Sequence, residues 1–295
     1  MYQGNIPNKE KTLKFKKLNI LLATAVAALG LVTLSACGNN NSTGANIITM
    51  KGDTINVEDF YSEAKTFPNM PATSLLQNLT MSKMFEKDFG DKVSDKDVQA
   101  KFDDTKKQMG EQFAAALQQQ GFTEKSYKSY VRLQLLQEYA IEKKISDTQF
   151  TDANLKAAWA DFHPEVEAIV VPETTKDAAT KAVKSAKSDA AKFEKDNASN
   201  KQKFDSTSTT IPKEVQTAAF KLKNGEVSDV IESANASTGA TSYYVVKMIK
   251  TSDKGSDMNK YKDKLKDVIK AEKLADTTYV AGVIGEYLKA HNVTV

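Results

Sequence analysis

The sequence predicts a multi-domain α+β protein: a mostly helical domain built from both chain ends, with a compact unit of four short strands and several helices inserted between its halves. Three observations carry this. Residues 58–160 repeat apolar side chains at three-four spacing with almost no strand pattern. Residues 162–250 mix Val- and Ile-rich extended runs with helical ones. Beyond a polar stretch at 251–257, helical spacing returns in two segments, too few to enclose a core alone.

The elements follow in order. The amino terminus carries Lys9, Lys11, Lys14, Lys16 and Lys17, then an uncharged run from Ile20 to Leu34, "ILLATAVAALGLVTL". That run is shorter than the roughly 20 residues a spanning helix needs, and a basic segment before a short apolar one describes an export signal. Leu34-Ser35-Ala36-Cys37 resembles the bacterial lipobox, which implies diacylglycerol on the Cys37 thiol and cleavage before it. Residues 1–36 are then a lipoprotein signal peptide, and 37–46 a lipidated cysteine with a tether reaching about 15–18 Å. The competing reading is a free cysteine in an uncleaved anchor helix.

"NIITMKGDTINV" gives two short extended pieces around a Lys-Gly-Asp turn, Ile47–Met50 and Thr54–Val57, and a helix opens near Glu58. Leu75, Leu76, Leu79, Met81, Met84 and Phe85 share a helical face ended by Gly90. Ser94 with Asp97 caps a helix running to Met109. Residues 110–122 are helix-prone between glycines, and Thr123 starts a long helix with stripes at Tyr127, Val131, Leu135, Tyr139 and at Leu133, Leu136, Ala140. Thr151-Asp152 opens a short helix ending near Trp159. Then come a strand at Glu165–Val171 closed by Pro172, helices at 176–187 and 190–197, a β-prone "DSTSTTI" at 205–211, a helix from Pro212 to Phe220, and strands at 230–231 and 242–249. Met258, Tyr261, Leu265 and Val268 mark one last helix; Tyr279, Val280, Val283, Ile284, Tyr287 and Leu288 mark another. The expected domains are 47–161 (helical), 162–250 (inserted) and 251–295, whose helices complete the first.

Composition narrows the chemistry. Without residues 1–36 the chain holds 36 basic and 37 acidic groups, out of totals of 41 and 38, so it has no surplus for nucleic acid. Its one arginine is Arg132; the other cations are lysines, poor at forked phosphate recognition. One cysteine and two histidines make neither an internal disulfide nor a structural zinc site. No phosphate-binding glycine loop or CxxC is present, and neither a metal nor a cofactor is expected.

"AAFKLKNGEVSDVI" (218–231) resembles the late segment of parvulin-type peptidyl-prolyl isomerases. With the lipobox, "ITMKGDTINVEDFY", "FEKDFGDKVSDKDV" and the closing helical pair, the chain resembles the PrsA family along nearly its whole length. These are lipid-anchored extracytoplasmic foldases of Gram-positive bacteria. The resemblance implies a parvulin-like lobe at 162–250, a place on the outer face of the cell membrane, and unfolded or partly folded secreted proteins as partners. Monomer and homodimer both stay open.

The departures fall at the family's chemistry. Parvulins carry one histidine on the first strand and one on the last; here Val170 (Ile169 if the register slips by one) and Tyr244 stand there. The family's Gly-Gly-Asp-Leu-Gly loop is replaced by "KQKFDSTST", where Asn200 or Asp205 is a candidate for its loop Asp/Cys. Catalytic residues are therefore unknown, and isomerase activity is expected to be weak or absent. Val170, Phe220 and Tyr244 are the candidate client-binding residues, Phe220 having plain core packing as its bland alternative. His163 reads as a hinge or surface residue, His291 as a helix end, Trp159 as junction packing, the 75–85 face as core before client wall, and Lys-rich 176–203 as a solvated face. Two other functions share the anchor and size: a transporter's solute-binding lipoprotein and a structural envelope lipoprotein.

Overall fold

The computed structural model describes residues 45–234 and 240–293, so the signal segment, Cys37 and most of the tether lie outside the described residues. The chain begins with β1 (Asn46–Met50), β2 (Asp53–Asn56), α1 (Val57–Thr66), α2 (Ala72–Phe89), α3 (Asp95–Met109), α4 (Gln112–Gln119), α5 (Glu124–Thr148) and α6 (Asp152–Asp161). It continues with β3 (Val166–Glu173), α7 (Lys176–Ser188), α8 (Ala190–Asp196), β4 (Lys201–Phe204), α9 (Lys213–Ala219), β5 (Ile231–Ala234), β6 (Thr241–Lys250), α10 (Lys262–Ala275) and α11 (Thr277–Ala290). It divides into two compact units. One holds the described residues up to Ile141 together with those from Ala275 onward; the other is Glu142–Leu274.

In the first unit β1 and β2 form an antiparallel hairpin. Its turn needs Gly52, whose φ of 75° disfavours a side chain. The extended run stops one residue before the sequence reading has it, because the Asp59 amide donates to Asn56 Oδ1 (2.8 Å) and the Asn56 amide to Asp59 Oδ2 (3.2 Å), a capping box that opens α1 at Val57. Met81, Met84, Phe85 and Phe89 of α2 pack against Val131, Leu135, Leu136 and Ala140 of α5, with Ile284, Tyr287 and Leu288 of α11 against the same cluster. The methionine stripe is thus core. Phe102, Phe113 and Leu117 form a second cluster with Phe122 and Tyr127. His291, at the end of α11, sets its Nε2 2.8 Å from the Asp88 carboxylate on α2, and its carbonyl accepts from the Lys51 amide at 2.7 Å.

The chain's single arginine is a clamp in this unit. Arg132 on α5 donates to both carboxylate oxygens of Glu86 on α2, to the Gly90 carbonyl (3.1 Å) and to the Val93 carbonyl (2.8 Å). A planar fork can serve a carboxylate and two carbonyls of the α2–α3 turn together; an ammonium cannot.

The second unit is built on an antiparallel sheet of order β4-β3-β6-β5. Period-two alternation splits β3 between two layers. Ile169 and Val171 pack on Ala186 and Phe193 of α7 and α8. Val166, Ala168 and Val170 pack with Val246, Met248 and the α9 residues Val215 and Ala219. Leu155, Ala158 and Phe162 at α6 pack with Leu265, Val268 and Ile269 of α10. Trp159 sits 5.7 Å from Tyr261, ring centre to ring centre. Lys254 donates to the Trp159 carbonyl (2.8 Å) at the end of α6. Helices α6 and α10 fall in the same unit as the sheet, whereas the sequence division puts 152–161 and 251–295 with the helical domain; they pack on each other, and Lys264 of α10 bonds Asp205 at the end of β4.

Two local differences have clear causes. The fourth strand is Lys201–Phe204, and "DSTSTTI" is a loop. Asp205 ends the strand: its carboxylate accepts from the Thr207 amide at 2.8 Å, and its amide donates to the Ser208 hydroxyl at 3.0 Å. Pro172 does not close β3, which runs to Glu173. The β4 pairing ends at Ile169, so Pro172 stands where the β4 side makes no further ladder bonds.

Arg132→Lys keeps the charge and loses the fork. The expected cost is about 1–2 kcal/mol in urea unfolding, allowing for the pair's partial exposure, with Arg132→Met costing more. A Lys variant as stable as the parent would show the clamp to be dispensable.

Candidate functional site: a cleft on the α9 face of the sheet

Two of the three candidate binding residues come together. Val170 pairs with Val246 and Tyr244 with Pro172, so the even-numbered positions of β3 and β6 share one face. Ile231 of β5 flanks Tyr244 on its other side. Val170 and Tyr244 both line a cleft of about 470 Å³. Pro172, Ile211 and Pro212 extend its apolar wall; Ser199, Asn200, Lys201, Gln202 and Thr210 supply a polar margin. Val170 is buried, while Tyr244 is half-buried and brings a hydroxyl.

Phe220 is placed elsewhere. Half-buried, it packs beside the cluster that holds Val170 and Ile211, 5.8 Å from Phe204, and its ring stacks on His163 at 4.5 Å and 8°. It does not line the cleft. His163 thus spends its imidazole on an aromatic face. Burial pushes its pKa down, and the nearby Lys254 and Lys213 charges push the same way against Asp161. No histidine lines the cleft.

Of the two candidates for the missing loop group, Asn200 lines the cleft and Asp205 does not. Asp205 is buried, and its carboxylate bonds the Lys264 ammonium of α10 and the Thr207 hydroxyl (2.6 Å). Burial pushes this carboxyl up, but the bonds from Lys264 and Thr207 outweigh it and hold it below the ordinary carboxylate range. Pro172, Ser199 and residues 210–212 are parts of the wall that the sequence reading does not single out. The signal available was Pro212 at the start of α9, which fixes where the preceding apolar residue, Ile211, turns inward.

The arrangement offers an apolar slot, one phenol, several neutral polar groups and one ammonium, Lys201, which pairs with Glu167 at 2.7 Å. It can hold a greasy or proline-like side chain and hydrogen-bond an extended backbone. It has no imidazole with which to relay a proton.

Asp205→Asn is expected to cost about 1–2 kcal/mol near neutral pH, discounted because Lys264 is partly exposed. A carboxyl whose folded value is depressed stabilises fully above its unfolded value, near 3.9, and loses that contribution as pH falls through the folded value. The gap between parent and variant in urea unfolding should therefore shrink below about pH 4. A gap unchanged between pH 7 and pH 3 would rule the ion pair out as its source.

Comparison with known proteins places this geometry. Residues 156–259 match the family model for the PPIC-type PPIASE domain. The chain is 60% identical over 286 residues to the Foldase protein PrsA of Lactococcus lactis, covering 96% of this chain and 93% of that protein. It is 41% identical to the Foldase protein PrsA of Enterococcus faecalis, covering 93% of this chain and 82% of that one. The crystal structure of the L. lactis foldase protein superposes with a TM-score of 0.71 at 62% identity, over 85% of this chain and 95% of that one. The foldase protein PrsA from Streptococcus pneumoniae superposes at 0.65 with 36% identity, over 85% and 95%. Neither the solute-binding nor the structural-lipoprotein reading is favoured by these matches. The chain belongs to the PrsA foldase family, and residues 156–259, within the unit built on the four-stranded sheet, are a domain of the parvulin type.

Proposed function

We propose that this foldase works outside the cytoplasm, tethered to the membrane through Cys37, and that it holds extended apolar segments of exported chains in the Val170–Tyr244 cleft more than it isomerises their X-Pro bonds. The observation that carries the reading is the make-up of the cleft. The two positions where the family resemblance calls for histidine face one slot as an isopropyl group and a phenol.

Prolyl isomerisation breaks no bond. A peptide bond's rotation barrier, about 18–20 kcal/mol, is amide resonance, and catalysis must favour the twisted, less conjugated amide. An apolar wall helps by removing water, which solvates the planar, charge-separated amide better. Val170, Pro172 and Ile211 supply that wall. Tyr244 can offer one hydrogen bond, and Val170 only bulk. The slot therefore suits binding, with little differential stabilisation of the twisted state. Its polar margin, Ser199, Asn200, Gln202 and Thr210 beside the Lys201 ammonium, suits the amides of an unfolded backbone. Export and anchoring rest on the sequence: the basic segment, the short apolar run and Leu34-Ser35-Ala36-Cys37.

Two measurements on one sample test the proposal. In a cis/trans assay with an Ala-Ala-Pro-Phe peptide, exchange should stay within about twofold of the uncatalysed rate, while aggregation of an unfolded secreted protein is suppressed. A large rate enhancement that Tyr244→Phe removes would overturn the holding reading, and so would failure to protect any client. For the anchor, the mature amino-terminal peptide of the parent should begin at Cys37 and carry the diacylglyceryl mass, and Cys37→Ala should abolish both the mass and that cleavage. A parent protein whose Cys37-bearing peptide lacks the mass, or keeps the residues before it, would end that part of the proposal.

A further inference from the structure

One wall of the cleft is a loop with little secondary structure of its own, and what holds that loop comes from elsewhere in the same unit. Residues 205–212 leave β4 and enter α9, and Thr210, Ile211 and Pro212 face the cleft. The far end of the loop is held from α9. The Gln216 side chain, 3% exposed, donates to the Ser208 carbonyl (2.8 Å) and to the Ile211 carbonyl (2.7 Å). The near end is held from two places. Ser206 exchanges hydrogen bonds with the His163 backbone, at 3.1 Å through its amide and 2.7 Å through its hydroxyl. Asp205 bonds Thr207 through one carboxylate oxygen and Lys264 through the other.

Lys264 lies on α10, past the end of the segment that matches the isomerase domain. We infer that Lys264 is a positioning residue for the cleft: by pinning Asp205 it sets where Thr210 and Ile211 stand, so that client affinity depends on a helix outside the matched domain. The inference rests on the reading of the cleft as the client site.

The chemistry is that of a buried carboxylate with one charged partner. Asp205 has its Oδ1 satisfied locally by Thr207; the Oδ2 has the Lys264 ammonium. Without that ammonium, a buried anion loses its counter-charge, and the cheapest relief is for the loop to turn Asp205 toward water. The loop is short, so movement at 205 is transmitted to 210–211 against the two Gln216 bonds. Lys266, two positions on, pairs with Asp263 on its own helix and touches none of this.

The test uses the full chain with an amide-capped Ala-Ala-Pro-Phe peptide, its affinity read from the Thr210 and Ile211 amide signals. Lys264→Met should weaken binding at least about fivefold and shift those two amides in the free protein. Lys264→Arg, which keeps the charge, should restore affinity to within about twofold. Lys266→Met should bind as the parent does. Asp205→Asn carries the same expectation as Lys264→Met, and combining the two should add nothing further, as expected for one shared interaction. If K264M and D205N bind like the parent with unmoved Thr210 and Ile211 signals, the positioning role is overturned. It is overturned equally if K266M loses as much as K264M, since general weakening of α10 then explains both. A parent protein whose Thr210 and Ile211 signals ignore the peptide while other signals respond would overturn the cleft reading itself, a result that none of the variants can mimic.

Discussion

Strand β3 is hydrogen-bonded on both edges, to β4 over Val166–Ile169 and to β6 over Glu167–Glu173. The site depends on that double pairing. A strand alternates its side chains between two faces, so a slip of one residue would send Ile169 to the cleft and Val170 under α7. Burial on both faces forbids the slip: Ile169 and Val171 are needed by Phe193 and Ala186, Ala168 and Val170 by Val215 and Ala219. The pairing with β6 then sets Tyr244 opposite Pro172, one ladder step along from Val170 on the same face. The slot's composition is thus a consequence of sheet register, and the loop at 205–212 supplies the remaining wall.

A cleft of this kind separates two properties that a histidine-bearing site combines. Affinity for an extended apolar segment comes from displaced water and from backbone hydrogen bonds, and it needs no titrating group. Acceleration of amide rotation needs interactions stronger in the twisted state than in either planar one. On the proposed reading, the residues here serve the first better than the second. The chain's two imidazoles are committed elsewhere, His163 to the Phe220 ring and His291 to the Asp88 carboxylate. In both places they do structural work that a neutral or a partnered ring can do.

Much of this was legible in the sequence. The Ser94/Asp97 capping box marked one helix start, because a side chain that satisfies a backbone amide acts over three residues; the Asn56/Asp59 box that opens α1 is of the same kind and became evident only in the structure. The four-stranded sheet and the residues at 170 and 244 followed from alternation and from the family resemblance. What escaped were features decided by distant partners. "DSTSTTI" has the composition of a strand, yet Asp205 and Ser208 bond the backbone of their own loop and remove it from the ladder. The stripe of α10 names an apolar face without saying what covers it, and the answer, Leu155, Ala158 and Phe162, lies some hundred residues away. Phe220 illustrates a residue type that cannot announce its place: an aromatic that lines a pocket and one that packs beside it look the same in a sequence.

The most direct test is to ask which surface a client touches. A photoreactive phenylalanine analogue placed at Thr210, on the cleft margin, and separately at Lys181, exposed on α7 behind the sheet, would be irradiated with an unfolded secreted protein. The account predicts cross-linking from position 210 that excess proline-containing peptide suppresses, and little from position 181. Equal cross-linking from the two positions, or none from 210 while aggregation is still suppressed, would contradict it.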